Sequence, residues 1–142
     1  MFNGLQRGHS LSTLVLVALG CLAAGWIAGT AMGEMTPPTA DHGITRQRGP
    51  EVDLGPELSG YKLRMTEVTF EPGAVRAIHD HRNSPELTYI LQGKLTEFRK
   101  DGSVKEFGPG DMRANGREVE HWLENHGTSK MVQVVVSLAK SQ

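Results

Sequence analysis

Beyond residue 60 the chain consists of short runs rich in β-branched and aromatic residues, separated by glycine, proline and asparagine. Polar and apolar positions alternate in several of these runs, which is the period of a strand with one buried face. No segment beyond residue 33 shows the 3.6-residue period of an amphipathic helix. The pattern therefore predicts an all-β domain with strands at 61–70, 74–81, 86–91, 94–99, 104–107, 119–124 and 131–138.

The alternation also predicts which side chains point into the domain. His121 and Leu123 share the apolar face of their strand, whereas the opposite face is mostly acidic. We therefore expect His121 to point inward. In the strand that begins at Glu86, the same reasoning places Thr88 and Ile90 on the inward side together with Glu86.

Residues able to bind a metal concentrate between positions 73 and 93. His79 and His81 are separated by one residue, so in a strand both side chains point to the same side. A turn of Asn, Ser and Pro follows, and the carboxylate of Glu86 can reach back toward the same point. His121 can supply a further nitrogen. Such a mixed nitrogen and oxygen set suits Fe, Mn, Ni, Co, Cu or Zn better than Ca or Mg.

This stretch resembles the first motif of the cupin family. The motif requires glycine and metal-ligand positions at fixed spacing, and the chain fills each of them with Gly73, His79, His81, Glu86 and Gly93.

The second cupin motif is matched less completely. Residues 108–111 resemble its Gly-rich turn, and His121 with Asn125 four positions later resembles its ending. Between them the chain departs from the family, because Ala-Asn-Gly at 114–116 replaces the usual Pro-x-Gly and a longer loop follows.

The resemblance implies a double-stranded β-helix, or jelly-roll, barrel. It implies one divalent transition metal (Fe, Mn, Ni, Cu or Zn) held by His79, His81, Glu86 and His121. Glu86 is also a candidate catalytic base. The family further implies a small-molecule substrate and a homodimer. The side chains that we expect to line the substrate pocket are Thr88, Ile90, Leu123 and Asn125.

Three functions fit this site. The first is a dioxygenase-like oxidoreductase acting on a small organic molecule. The second is a metal-dependent isomerase, decarboxylase or lyase. The third is a non-catalytic module that binds a small molecule or a metal at the cell envelope. We favour the first and keep the other two as alternatives. The sequence names neither the substrate nor the reaction, because function depends on the site rather than on the scaffold.

The first 33 residues differ in kind from the rest. They contain no acidic residue and one basic residue, Arg7, and the 22 residues at 11–32 are all uncharged. At 1.5 Å per residue, these residues form a helix of about 33 Å, which can cross a hydrocarbon core. We interpret residues 1–33 as one hydrophobic helix, either a signal peptide cleaved after Ala31 or a membrane anchor. Either alternative places the domain outside the cytoplasm, where it is periplasmic, secreted or anchored to the membrane.

The remaining composition indicates the domain boundaries and excludes two classes of function. Residues 34–56 contain four of the seven prolines, which predicts a flexible tether before a barrel domain at 57–142. The formal net charge is −1 without a block of like charges, so nothing indicates nucleic-acid binding. Cys21, the single cysteine, lies in the leader, which excludes disulfides and cysteine chemistry from the domain.

Overall fold

The computed structural model describes residues 35–140. The predicted leader at 1–33, including its hydrophobic helix, lies outside these residues. Among the described residues no helix has the length and apolar character needed to cross a membrane.

The domain is all-β, as the alternation predicts. One curled, jelly-roll-like sheet has the order β5-β4-β7-β2-β8-β3-β6, and β1 pairs with β2. Every pair is antiparallel. The strands are β1 (His42–Asp53), β2 (Tyr61–Asp80), β3 (Glu86–Gln92), β4 (Leu95–Arg99), β5 (Val104–Phe107), β6 (Met112–Asn115), β7 (Glu120–Glu124) and β8 (Met131–Lys140).

The long strand β2 replaces two predicted strands. The Glu-Pro-Gly sequence at 71–73 does not end the strand but marks the place where it changes partner. Before this point β2 pairs with β8, and after it β2 pairs with β7. Gly73 has a φ of 76°, a conformation that glycine adopts without steric cost, so the strand bends here and continues.

The predicted tether at 34–56 is wrong for residues 42–53, because these residues form β1. The ladder between β1 and β2 has irregular register at 42–44 and again at 48–51. Gly43 lies in the first irregularity, and Gly49 and Pro50 lie in the second. Glycine and proline here mark bulges in an edge strand, whereas their composition alone is typical of a linker. The sequence pattern also misses the short strand β6, in which the usual pattern is reversed: Met112 and Ala114 are exposed, whereas Arg113 and Asn115 are buried.

The predicted inward faces agree with burial. Thr88 and Ile90 are buried whereas Leu87 and Tyr89, the neighbours of Thr88, are exposed, and His121 and Leu123 are buried. The core that surrounds them consists of apolar side chains from six strands, namely Val68, Phe70, Ala74, Ile90, Leu95, Phe107, Leu123, Met131 and Val135.

Trp122 is an exception to the outward face of β7. It is only 4 % exposed, because its ring stacks on the ring of Phe98 in β4 with centroids 5.0 Å apart. The two residues are directly paired across the sheet. An aromatic pair thus covers part of the outer surface, which a simple alternation of faces does not predict.

Candidate metal centre

Three histidines meet at one point inside the barrel. His79 near the end of β2 is paired with His121 on β7, and His81 follows directly after β2. The Nε2 atom of His121 lies 2.9 Å from Nε2 of His81 and 3.2 Å from Nε2 of His79. One ligand atom from each of the three residues lies within 4.8 Å of the other two. The sequence prediction that these three side chains converge is therefore reproduced by the structure.

The other ring nitrogen, Nδ1, faces an oxygen atom in each of the three histidines. A nitrogen that faces a hydrogen-bond acceptor carries the hydrogen, so in its neutral form each ring is the Nδ1–H tautomer with its lone pair on Nε2. The three Nε2 lone pairs therefore point at one another. The acceptors are the carbonyl oxygen of Ala77 for His79 at 2.8 Å, that of Ser84 for His81 at 3.2 Å, and a carboxylate oxygen of Glu97 for His121 at 2.6 Å.

The spacing of the Nε2 atoms fits a shared metal ion. Two nitrogens that each lie about 2.0–2.1 Å from one metal are about 2.8 to 3.4 Å apart for bond angles between 90° and the tetrahedral value. The two shortest nitrogen separations, 2.9 and 3.2 Å, fall in this range. Mutually facing lone pairs repel unless a cation lies between them, so the donor set suits a transition metal.

The electrostatic surroundings keep two of these rings neutral. Burial lowers the pKa of His79 to about 3, and the charge of Arg76 acts in the same direction. Burial also lowers the pKa of His81, against the opposing effect of the Glu86 carboxylate. Because a metal binds the unprotonated ring, neither histidine has to lose a proton to bind a metal at neutral pH.

Glu97 is a candidate functional residue that the sequence pattern does not single out. It is 1 % exposed, and its carboxylate accepts hydrogen bonds from His121, from Arg113 at 3.3 Å and from Arg99 at 3.0 Å. Burial alone raises its pKa, but the bond from His121 and the nearby positive charges lower the pKa to about 2. A signal was available, since Glu97 shares the inward face of β4 with Leu95. An acidic side chain on an apolar face requires a partner.

Glu86 lies beside the histidines but outside their cluster. One carboxylate oxygen accepts a hydrogen bond from the Asn115 amide at 3.1 Å, and the other lies 3.8 Å from Nδ1 of His81. The carboxylate therefore faces the side of His81 that points away from the shared Nε2 position. Its role as a ligand stays a prediction and requires a rotation of the side chain.

A cavity of about 270 Å³ opens onto the cluster. His79, His81, Glu86 and Leu123 line it. The role of Leu123 in a substrate pocket stays a prediction.

The structure does not place Thr88, Ile90 or Asn125 on this cavity. Ile90 is fully enclosed by the core, and Thr88 is buried where β3 pairs with β6 and β8. The polar atoms of Asn125 are all engaged with the backbone: its amide donates to the carbonyl oxygens of Phe70, Glu71 and Ser129, and its oxygen accepts from Gly127 N–H. Asn125 therefore holds the β7–β8 turn against β2 rather than a ligand.

Comparison with known proteins gives the same architecture. The profile of the cupin domain matches residues 66–137. An oxalate decarboxylase from Bacillus subtilis is 38 % identical over 69 residues, which are 46 % of this chain but only 18 % of that protein.

Solved structures extend this likeness to the fold. The polyketide cyclase RemF from Streptomyces resistomycificus matches with a TM-score of 0.59, and KdgF from Halomonas sp. matches with a TM-score of 0.53. Sequence identities are 20 % for RemF and 22 % for KdgF. The matched regions cover 75 % of this chain and 72 % of RemF, and 67 % of this chain and 78 % of KdgF.

Proposed function

The chain belongs to the cupin domain family, and from this premise we propose that it is a metal-dependent enzyme that acts on a small organic molecule. The observation that carries the proposal is the convergence of three Nε2 lone pairs at the wall of a cavity. Three imidazole ligands leave coordination positions of a transition metal open to a substrate, which is typical of catalytic rather than structural sites.

The residues around the cavity have distinct roles in metal binding, orientation and proton transfer. His79, His81 and His121 hold the metal, and Glu97 fixes the ring of His121 in the required tautomer. A bound divalent transition metal supplies a Lewis acid and, if redox-active, access to O2 chemistry. Glu86 lines the cavity next to His81, where its carboxylate can accept a proton from a bound molecule.

We infer a dioxygenase-like oxidoreductase as the first reaction class, with a decarboxylase, isomerase or lyase as the alternative. The similarity to an oxalate decarboxylase supports the alternative, although it covers a small part of that protein. A non-catalytic binding module is the second candidate function. It is favoured by the position of Glu86, whose carboxylate is held by Asn115 away from the shared Nε2 position.

The test is turnover by the metal-loaded protein. O2 uptake and CO2 release are followed with a panel of small organic acids, sugars and phenols. An enzyme of the proposed kind turns over at least one of them, and Glu86→Gln abolishes turnover while it retains the metal. Metal-loaded protein that binds members of the panel without converting any of them supports the binding module instead.

We propose further that the domain works outside the cytoplasm. The support is the uncharged run at 11–32, which is long enough to direct export. Cell fractionation of the full chain, followed by N-terminal sequencing, tests this proposal. Cleavage after Ala31 identifies a signal peptide, an intact membrane-bound chain identifies an anchor, and an intact chain confined to the cytoplasm contradicts both.

A further inference from the structure

Four arginines line the cavity that leads to the three histidines. Arg46 and Arg48 lie on β1, and Arg64 and Arg76 lie on β2. The chain contains nine arginines and six lysines. Nearly half of the arginines thus line one cavity, whereas none of the lysines among residues 35–140 does. The carboxylates on the same wall belong to Asp80 and Glu86, so arginines outnumber them.

The register of β1 and β2 explains why these arginines face inward. Arg46 is paired with Val68, and Arg48 is paired with Thr66. Directly opposite residues in an antiparallel pair share a face, and Val68 belongs to the buried core. Arg64 lies two residues before Thr66 and therefore on the same face.

Exposure along this inward face shows where the cavity opens. Phe70 is 1 % exposed and Val68 is 7 % exposed, whereas Thr66 and Arg64 are only half-buried and Arg48 is exposed. The apolar side chains thus lie deep in the barrel, and Arg48 and Arg64 lie toward its mouth. A molecule that reaches the histidines through this opening passes both guanidinium groups.

Three of the four arginines have carboxylate partners within the domain. Asp41 binds Arg46 at 2.9 Å and Arg76 at 2.7 Å, and Glu51 binds Nε of Arg64. Arg48 has no carboxylate partner within residues 35–140. An inward guanidinium at the mouth of a cavity, without such a partner, provides donors for an incoming anion. Its planar arrangement matches two oxygens of a carboxylate or phosphate.

We propose that Arg48, assisted by Arg64, binds the anionic group of a small organic acid whose other end reaches the metal held by the histidines. This inference rests on the proposed metal centre for the orientation of the ligand. The cavity volume of about 270 Å³ limits the ligand to a small molecule. The shared chemistry is an oxyanion group that accepts two parallel N–H bonds, which a carboxylate and a phosphate ester both provide.

The test is calorimetric titration of the metal-loaded, full-length protein with three probes. Succinate carries two carboxylates, phosphoglycolate carries one carboxylate and one phosphate, and succinamide is a neutral analogue of succinate. We expect at least one anion to bind, with affinity that falls as salt is added, and succinamide not to bind. Tighter binding of phosphoglycolate shows that the site prefers a phosphate to a second carboxylate, and tighter binding of succinate shows the reverse. No binding by either anion, or equal binding by succinamide, overturns the proposal.

Variants then assign the anion site to its residue. We expect Arg48→Gln to weaken anion binding by about tenfold, because a hydrogen bond to a charged group is lost. Arg48→Lys restores part of the affinity. The matched control is Lys130→Gln, which removes one exposed positive charge that pairs with Glu71 away from this cavity. Equal affinity in wild type and Arg48→Gln contradicts the proposal.

Metal content separates this inference from the proposed function. Arg48→Gln protein that retains metal but loses anion affinity supports both. If the Arg48→Gln protein retains metal and its anion affinity is unchanged, the role of Arg48 is refuted, whereas the proposed metal centre is not. Wild-type protein that takes up no metal refutes the metal centre. If this metal-free protein still binds the anion, and binding still depends on Arg48, the proposed anion site is supported independently of the metal.

Discussion

The buried carboxylate of Glu97 offers the sharpest test of how the site is held together. Its side chain is 2 % exposed, as is that of Arg113, which bonds to it at 3.3 Å. Replacing Glu97 with leucine puts an apolar side chain of similar size on the inward face of β4. It also leaves the Arg113 guanidinium without its hydrogen-bonded carboxylate and removes the acceptor for Nδ1–H of His121.

The expected loss of stability follows from these two orphaned groups. Removing one partner of a buried ion pair costs about 3–5 kcal/mol of unfolding free energy. The lower end applies here, because Arg113 keeps its bond to Gln133 at 3.1 Å and the attraction of Glu86. For a domain of this size a loss of about 3 kcal/mol lowers the melting temperature by at least roughly 10 °C.

A double-mutant cycle isolates the ion pair. Urea denaturation of metal-free protein compares wild type, Glu97→Leu, Arg113→Leu and the double variant. We expect the double variant to be more stable than Glu97→Leu, because the uncompensated buried charge has been removed with its partner. If Glu97→Leu is as stable as wild type, or if the two effects simply add, the buried network does not have the role described.

Metal affinity measures the second role of Glu97. Loss of a carboxylate that orients a ligand histidine typically lowers metal affinity by about 10- to 100-fold. We expect this loss in Glu97→Leu. Glu97→Gln should lose less, because its amide oxygen can still accept the hydrogen bond from His121. Competition with a chromogenic chelator gives both affinities, and equal affinities in the two variants contradict an orienting role.

Three further predictions concern stability and assembly. In metal-free protein the pKa of His79 is about 3 rather than its ordinary 6.5, so between these values only the unfolded chain binds a proton at this residue. The contribution of His79 to the free energy of unfolding is therefore full above pH 6.5 and falls as the pH decreases toward 3, by up to about 1.4 kcal/mol per pH unit. Thermal unfolding at a series of pH values checks this slope, and a constant melting temperature from pH 7 to 4 contradicts it. Gly93→Ala should cost at least about 2 kcal/mol, because φ is 72° and the new Cβ would lie 2.5 Å from a backbone carbonyl oxygen. Gly102→Ala, with φ of 83° and no neighbour within 4 Å, should cost about 1 kcal/mol in the same denaturation assay, and equal costs would remove the steric argument. The homodimer remains a prediction, and the exposed apolar face around Leu87 and Met112 is the surface that we expect to form it. Sedimentation should then give a dimer for wild type and a monomer for Leu87→Lys. A wild-type monomer refutes the homodimer.

The sequence predicted the parts of this molecule that depend on local spacing. One intervening residue is enough to put His79 and His81 on one side, and alternation is enough to turn His121 inward. The same alternation identified Thr88 and Ile90 as buried. It could not show that they lie in the core instead of on the cavity, because a strand's inward face passes through both regions.

Other features depend on pairings that are distant in sequence. The pairing of β4 with β7 decides whether Glu97 is a solvated charge or the hydrogen-bond partner of His121. The pairing of β1 with β2 decides whether Arg48 belongs to a tether or to a cavity wall. The direction of the Glu86 carboxylate depends on Asn115, which lies on a strand that the sequence pattern missed. Alternation along β4 indicates that Glu97 points inward, but no local pattern identifies the residues that these side chains contact.

Metal content is the measurement that tests the central claim most directly. The full chain is purified with neither a chelator nor a metal-binding tag, and its elements are quantified for wild type and for His79→Ala combined with His81→Ala. A matched control combines His42→Ala with His126→Ala, two exposed histidines outside the cluster. We predict about one Fe, Mn, Ni, Cu or Zn per chain in wild type and control and none in the cluster variant. Equal metal in both double variants, or no metal uptake by wild type, contradicts the account.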